Sequence, residues 1–228
     1  MSLTLTERLE AVRTRIALAE RKAGRPPQSV QLIAVSKTQP ATAIAEAVAA
    51  GQRHFGENYL QEALAKHSEL ATIADLVWHF IGPIQSNKTA PIAAHFDWVH
   101  SVDRLKIAQR LSEQRPEELA PLNICLQVNV SDEASKSGVS LAELPALAAA
   151  VAELPRLRLR GLMAIPAPSD DSASQRVPFQ ILRQALDRLD LPGLDTLSMG
   201  MSDDLEAAIQ EGATFVRIGT AVFGRRSG

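Results

Sequence analysis

Hydrophobic positions along this chain fall into short apolar runs separated by longer amphipathic stretches. The runs are rich in β-branched residues, as is typical of buried strands. The stretches between them are rich in Ala and Leu with a helical period, and we interpret each as a crossover helix. Eight apolar runs occur, and we predict strands over Val30–Ser36, Arg53–Asn58, Val77–Gly82, Phe96–Val102, Asn123–Val130, Arg158–Pro166, Asp195–Gly200 and Phe215–Thr220.

The alternation of strand and helix with short connections predicts a parallel sheet of the α/β class. Eight repeats preceded by one extra N-terminal helix favour a closed (β/α)8 TIM barrel over an open doubly wound sheet. The Gly-x-Gly-x-x-Gly motif of dinucleotide-binding open sheets does not follow the first strand. Because no linker or low-complexity tract interrupts the pattern, we expect residues 1–228 to form a single domain.

Composition narrows the classes of function. The 228 residues are 46% hydrophobic, and the net charge of -2 gives no general attraction to nucleic acid or to an anionic membrane. We therefore expect a small-molecule partner and no metal. The single cysteine, Cys125, excludes a disulfide framework, and its apolar surroundings predict a buried, inert thiol. The charged amphipathic N-terminal helix is unlike a signal peptide or a membrane span, which predicts a cytoplasmic location.

The first predicted strand ends in AVSKTQP, and strand ends of this kind carry the chemistry of α/β barrels. Lys37 lies just beyond the apolar run. Burial there would disfavour the ammonium and leave an amine able to form an imine with a carbonyl. The alternative is an ordinary surface lysine closing a strand, which is the more common case for a lone lysine. The other strand ends bear on this choice.

The last two strand ends carry small and hydroxyl residues. The seventh strand leads into SMGMSDDLEAAIQEG, where Gly200 permits a tight turn and Ser202 stands at the predicted N-cap of the next helix. The eighth ends in RIGTAVFG, where Gly219 allows a close backbone approach and Thr220 supplies a hydroxyl. Loops after strands seven and eight are the recurrent phosphate site of this fold. A phosphate site and ordinary cap and turn roles both remain open.

A third group of polar or adaptable residues could surround a planar ligand. Arg217 lies two residues before Gly219, so both face the same side of the strand. If that side is the barrel interior, the guanidinium needs an acceptor, and a pyridine nitrogen or a carboxylate would serve. Asn58, His79 and Met163 could line a ring-binding pocket. For His79, a hydrogen-bonded core position is the more common outcome.

Seven sequence blocks resemble, in order, those of the pyridoxal phosphate homeostasis protein family, also called the YggS/PROSC family, which is similar to the alanine racemase N-terminal barrel. They are LIAVSKTQP, FGENYLQEA, WHFIGPIQSNK, SKSGV, GLMAIP, LSMGMSDDLEAAI and VRIGTAVFG. The resemblance implies pyridoxal 5′-phosphate bound covalently to Lys37 as a Schiff base. It also implies phosphate ligands at Ser202, Gly219 and Thr220, with Arg217 facing the pyridine nitrogen. Pocket residues are implied at Asn58, Met163, Ser198 and Met199.

The same resemblance implies a role in intracellular pyridoxal phosphate homeostasis, as a monomeric carrier or regulator that influences amino-acid and keto-acid balance. Apoenzymes that need the cofactor are the implied partners. An arginine at the ring nitrogen keeps it unprotonated and weakens the cofactor as an electron sink. Alanine racemase takes a tyrosine base from a second domain, whereas the only tyrosine here, Tyr59, opens a helix. Strong catalysis is therefore not expected.

Two alternatives remain at this point. One is a pyridoxal phosphate-dependent racemase or decarboxylase acting on a small amino acid. The other is a Schiff-base aldolase barrel that binds a phosphorylated substrate and uses no cofactor. The missing second domain argues against the first alternative, and Arg217 argues against the second.

Overall fold

The computed structural model describes residues 3–131, 137–169 and 171–224. Within these ranges eight parallel strands close into a barrel, in which each strand pairs with the next and the last pairs with the first. The predicted barrel and its eight strands are confirmed, with small differences at the strand ends. The strands are β1 (Gln31–Val35), β2 (His54–Glu57), β3 (Val77–Phe80), β4 (Trp98–Val102), β5 (Leu122–Gln127), β6 (Leu157–Met163), β7 (Thr196–Ser198) and β8 (Phe215–Ile218).

Helices surround the barrel and follow the strands in sequence. The described helices are α1 (Leu5–Lys22), α2 (Ala41–Ala49), α3 (Leu60–Glu69), α4 (Thr89–His95), α5 (Leu105–Gln114), α6 (Leu144–Ala152), α7 (Ser172–Arg188), α8 (Leu205–Gln210) and α9 (Thr220–Phe223). The predicted extra helix is α1, and it begins with a capping box between Thr4 and Glu7. It buries Leu9, Val12 and Ile16 and packs against α8 and α9. The N-terminal segment is thereby joined to the end of the chain that carries β8.

Apolar side chains form two clusters, one on each face of the strands. The larger cluster lies between strands and helices and includes Leu32, Phe55 and Val216. The smaller one fills the barrel interior and consists of Ile33, Trp98, Cys125, Met163 and Phe215. The two faces differ because side chains alternate along each strand.

Polar side chains share the barrel interior with the smaller cluster. His79, His100, Ser198 and Arg217 are all buried. A barrel interior is normally filled by branched apolar side chains, and a buried polar group is tolerated only when it is hydrogen-bonded. Their bonding partners therefore bear on function, and they are described with the site below.

Two further predictions concern Cys125 and membrane-spanning segments. Cys125 is fully buried, as predicted, and burial raises the pKa of its thiol to about 12, which disfavours the reactive thiolate. Among the described helices, none combines the length and the apolar character needed to span a bilayer.

Candidate functional site

A pocket of about 560 Å³ opens at the carboxyl ends of the strands. This is where function was expected in a barrel of this class. The pocket brings together six of the predicted site residues, namely Lys37, Asn58, Ser202, Arg217, Gly219 and Thr220. Its wall also contains residues that the sequence did not single out: Arg15, Val35, Ile81, Ile165, Met201, Asp203 and Ala221. Most of these are apolar, a composition that suits a planar ring.

Lys37 follows β1 and projects from the rim of the barrel into this pocket. Its side chain is partly buried, which is between the buried lysine and the surface lysine considered from the sequence. Among the described residues, no hydrogen-bond acceptor or carboxylate pairs with its Nζ. The amine is thus held beside the pocket without a protein partner, which leaves it available to a ligand.

A buried ion pair lies beneath the segment that carries Lys37. The Nζ atom of Lys66 donates to Oε1 of Glu57 at 2.8 Å, to Oε1 of Glu62 at 2.6 Å and to the Ser36 carbonyl at 2.7 Å. The Ser36 hydroxyl donates to Glu57 Oε1 at 2.6 Å. Burial raises the pKa of the Glu57 carboxyl, although its hydrogen bonds to Lys66 and Ser36 act in the opposite direction. The pair therefore ties the end of β1 to β2 and α3.

The cluster of Glu57, Glu62 and Lys66 also fixes Thr38, the residue that follows Lys37. The backbone N–H of Thr38 donates to the Glu62 carboxylate, and Thr38 has a φ of 63°, in the left-handed region. Because Ser36 and Thr38 are both fixed, the direction in which Lys37 leaves the strand is fixed as well. This cluster was not predicted from the sequence. The spacing of Glu62 and Lys66, four residues apart on α3, was the available signal.

Arg217 lies in the barrel interior below the pocket, as its strand position predicted. Its side chain donates from Nη1 to Ser198 Oγ at 2.8 Å and from Nη2 to the Ala164 carbonyl at 2.9 Å. Both acceptors are neutral. The sequence had suggested a carboxylate or a pyridine nitrogen as the acceptor for Arg217, but among the described residues a hydroxyl and a backbone carbonyl fill this role. Burial lowers the pKa of Arg217 to about 10, with Asp204 acting in the opposite direction. The guanidinium remains cationic at neutral pH and has donors left for a ligand.

Ser202 lines the pocket but is not the helix N-cap that the sequence predicted. Helix α8 begins at Leu205, and its N-cap residue is Asp204. The prediction was wrong because the Asp204 carboxylate accepts a hydrogen bond from the Met201 N–H at 2.6 Å, which closes a turn before the helix. Ser202 lies in that turn, and its carbonyl accepts a hydrogen bond from Arg15 Nη2 at 3.0 Å.

Gly219 and Thr220 close the pocket beside Ser202. Gly219 precedes α9, and a Cβ atom there would lie 3.3 Å from the Val35 carbonyl oxygen. Glycine therefore permits a close approach between the ends of β8 and β1. Thr220 is the first residue of α9 and presents its side chain at the same edge of the pocket.

Four predicted site residues do not line the pocket. Met163 packs in the interior cluster, and Met199 packs in the larger cluster outside the barrel. His79 is fully buried and hydrogen-bonded, which is the core position considered for it. Ser198 is also fully buried and bonds to Arg217. Of the four, Ser198 contacts a residue of the pocket wall directly, through the guanidinium.

The residues of the pocket fit pyridoxal phosphate. Lys37 offers an amine for its aldehyde, and Arg217 offers a donor for its ring nitrogen. Asn58 carries a buried side-chain oxygen with no hydrogen-bond partner among the described residues, so it has capacity for a polar ring substituent. The hydroxyls of Ser202 and Thr220 suit a phosphate.

Comparison with known proteins agrees with this fit. The chain matches the family of the alanine racemase N-terminal domain over residues 8–227. It is 68% identical over 223 residues to the pyridoxal phosphate homeostasis protein of Pseudomonas aeruginosa, covering 98% of this chain and 96% of the relative. It is 57% identical over 229 residues to the protein of the same name from Escherichia coli K12, covering 97% of each.

Solved structures give the same relationship. PipY of Synechococcus elongatus PCC7942, with pyridoxal phosphate bound, is 42% identical with a TM-score of 0.86, and the match covers 97% of this chain and 100% of PipY. Alanine racemase from Corynebacterium glutamicum shares the fold alone, with 20% identity and a TM-score of 0.64 over 96% of this chain and 62% of that enzyme. The chain therefore belongs to the pyridoxal phosphate homeostasis protein family, within the wider family of the alanine racemase N-terminal domain.

Proposed function

We propose that this protein binds pyridoxal 5′-phosphate in the pocket at the carboxyl ends of the strands, covalently through Lys37, and serves intracellular homeostasis of that cofactor. The observation that carries the proposal is the unpaired amine of Lys37 in a pocket that also contains Arg217, Ser202 and Thr220. The relatives named for this homeostasis and the structure of PipY with the cofactor support it.

Each side chain has a separate task in this proposal. Bound pyridoxal phosphate supplies an aldehyde that condenses with a lysine amine. The Lys66–Glu57 pair aims Lys37 at the pocket by fixing the segment on either side of it. Arg217 donates to the ring nitrogen and, as a permanent cation at neutral pH, keeps that nitrogen unprotonated. Ser202, Gly219 and Thr220 hold the phosphate through hydroxyl and backbone donors.

The pocket favours a carrier or regulator over an efficient enzyme. The chain's one tyrosine, Tyr59, is 54% exposed at the start of α3 and is not part of the pocket wall. A proton-transfer partner of the racemase type is thus missing from the described pocket wall. Ile165 and Met201 stand at the pocket with 42% and 37% of their surface exposed, which leaves a bound ring accessible. An accessible cofactor suits release to another protein.

The proposal extends to partners, assembly and location. Apoenzymes that require pyridoxal phosphate are the proposed recipients. A monomer is the proposed state, and it is supported by the site residues Lys37, Arg217 and Ser202, which meet in one pocket within a single chain. A cytoplasmic location is supported by the single cysteine, which is typical of proteins in a reducing compartment.

The experiment that tests the covalent step compares two lysine variants. Purified wild-type protein is mixed with pyridoxal phosphate, reduced with borohydride and mapped by mass spectrometry. We expect the reduced adduct on Lys37 in the wild type and in Lys106→Ala, whose side chain is exposed on α5. Lys37→Ala should lose the adduct completely and keep weak, non-covalent binding through the phosphate ligands.

Two outcomes would contradict the proposal. An adduct that persists at full yield in Lys37→Ala would place the covalent step on another lysine. If the wild-type protein takes up no pyridoxal phosphate at all, the cofactor site is rejected and the aldolase alternative is favoured.

A second experiment separates a carrier from an enzyme. The protein loaded with pyridoxal phosphate is incubated with a panel of L- and D-amino acids, and robust racemisation or decarboxylation would rule out the carrier.

A further inference from the structure

An unbroken line of hydrogen bonds runs from Arg217 through the barrel interior to the opposite face. Arg217 Nη1 donates to Ser198 Oγ at 2.8 Å, and Ser198 Oγ lies 2.8 Å from His100 Nδ1. His100 Nε2 lies 2.9 Å from His79 Nδ1, and His79 Nε2 lies 2.9 Å from His54 Nδ1. We call these five residues the relay.

Aromatic side chains pack around the central part of the relay, His79 and His100. Trp98 stacks on His79 with ring centroids 5.8 Å apart and planes at 19°. Phe215 meets His79 edge-on at 5.3 Å and His100 at 5.7 Å. His79 and His100 have no exposed surface. Burying an imidazole in apolar surroundings costs free energy unless its nitrogens are hydrogen-bonded. In His79 and in His100, both ring nitrogens have a hydrogen-bond partner.

The chemistry of the donors fixes the direction of the relay. A guanidinium only donates, so Ser198 Oγ accepts from Arg217 and has its own proton to give. Among the described hydrogen bonds its one other partner is His100 Nδ1. A neutral imidazole carries one N–H, so an accepting Nδ1 places the proton of His100 on Nε2. The same reasoning passes from His100 to His79 and from His79 to His54.

The three histidines are neutral, as this direction requires. Burial lowers the pKa of His100 to about 3, and the positive charge of Arg217 acts in the same direction. Burial also lowers the pKa of His79 well below its ordinary value and lowers that of His54. The facing nitrogens of neighbouring histidine rings are 2.9 Å apart, which leaves no room for a metal ion between them. Within the described ranges, no group of three or more His, Cys, Asp or Glu side chains could hold a metal ion.

We propose that Arg217 sets one tautomer, with the proton on Nε2, in all three histidines of the relay, and that His79 and His100 are positioning residues that hold Arg217 through Ser198. The far end of the relay, His54, lines a second pocket of about 590 Å³ with Gln31, Gln52 and Arg53. The relay thus connects the amino-end face of the barrel with the guanidinium at the carboxyl-end pocket. This inference concerns the protein without cofactor and stands apart from the proposed function.

The direction is tested by two-bond ¹H–¹⁵N NMR spectra of the histidine rings in the cofactor-free protein at pH 7. We expect His54, His79 and His100 all to show the Nε2–H tautomer. In His79→Asn the amide oxygen can still accept from His100 Nε2–H but does not reach His54. His100 should keep its tautomer in this variant, while His54 should become a mixture of tautomers and titrate at a higher pH.

Two results of these spectra would overturn the relay. One is an Nδ1–H or mixed tautomer for His79 or His100 in the wild type. The other is an unchanged His54 in His79→Asn. The wild-type spectrum alone decides the direction, so the inference stays testable if the variant fails to fold.

The positioning role is tested by the rotation of the Arg217 guanidinium, measured by side-chain NMR exchange in the cofactor-free protein. His100→Leu removes the acceptor for the Ser198 proton, and we expect guanidinium rotation to become at least several-fold faster. His100→Asn offers an oxygen close to the position of Nδ1 and should restore slow rotation. Equal rates in the wild type and in both variants would show that His100 only fills space.

Discussion

Lys37 and Lys66 are both lysines near the carboxyl ends of the same barrel, yet they are used in opposite ways. Lys66 has 5% of its side chain exposed and reaches two carboxylates and a carbonyl. Lys37 is partly exposed, and within the described ranges its Nζ has no protein partner. The amine that is bound to the protein builds the site, and the amine that is left unbound is the one a ligand can use.

The same division extends to other polar groups of the molecule. The relay and the Lys66–Glu57 pair lie beneath the pocket and are held by hydrogen bonds to neighbouring residues, although Glu57 Oε2 has no partner among the described residues. Asn58, like Lys37, reaches the pocket with capacity that the described protein does not use. A buried polar group without a partner costs stability, so a fold retains one only where something else compensates, and a ligand is one such compensation.

The largest predicted effect separates the two lysines by stability. Lys66→Met leaves the buried Glu57 carboxylate without its cation, and we expect a loss of about 3–5 kcal/mol in the free energy of unfolding. Lys37→Met should change it by less than about 0.5 kcal/mol. Urea denaturation at pH 7, followed by circular dichroism, measures both. Similar losses in the two variants would remove the distinction.

A smaller effect is expected from acid, because burial keeps several histidines neutral in the folded protein. Burial lowers the pKa of His100 to about 3 and that of His67 to about 4, whereas both bind protons near pH 6.5 in the unfolded chain. The unfolded state therefore binds more protons below pH 6.5, so stability is full above that pH and falls as the pH falls. Each such histidine contributes a slope of up to about 1.4 kcal/mol per pH unit.

Urea midpoints measured between pH 7 and pH 5 test this dependence on acid. His67→Phe provides the control, because it keeps a ring against Trp78 and removes one titrating group. In His67→Phe, the free energy of unfolding should depend on pH less steeply than in the wild type, by the contribution of one histidine. A slope equal to that of the wild type would mean that folding does not change the pKa of His67.

The smallest predicted effect concerns Asn58. Asn58→Ala should alter the free energy of unfolding by less than about 0.5 kcal/mol, because its side-chain oxygen has no partner among the described residues. It should raise the dissociation constant for pyridoxal phosphate about 5- to 10-fold in a Lys37→Ala background, the size of one hydrogen bond. Titration calorimetry measures the constant, with the exposed Asn87→Ala as the matched control. Equal constants would remove Asn58 from the site.

Much of the site could be predicted because strand ends in a parallel barrel converge on one face. Lys37, Asn58, Arg217 and Gly219 were found in this way, each just beyond or within an apolar run. Arg15 was missed because its charge on an amphipathic helix looks like that of any solvated residue. The capping role of Ser202 was wrong since Asp204, two residues later, is an equally good cap by residue type.

The sequence by itself determined the alternation of eight strands and helices, the closed barrel and the lysine at the end of the first strand. Only the tertiary structure decided which polar groups are paired. Arg15 meets the Ser202 carbonyl across 187 positions of the chain, and His100 meets Ser198 across 98. Local periodicity indicates whether a side chain faces the core. It does not indicate which group, elsewhere in the chain, will form a hydrogen bond with that side chain. That is why Lys37 could be identified from the sequence while Lys66, Glu57 and the relay could not.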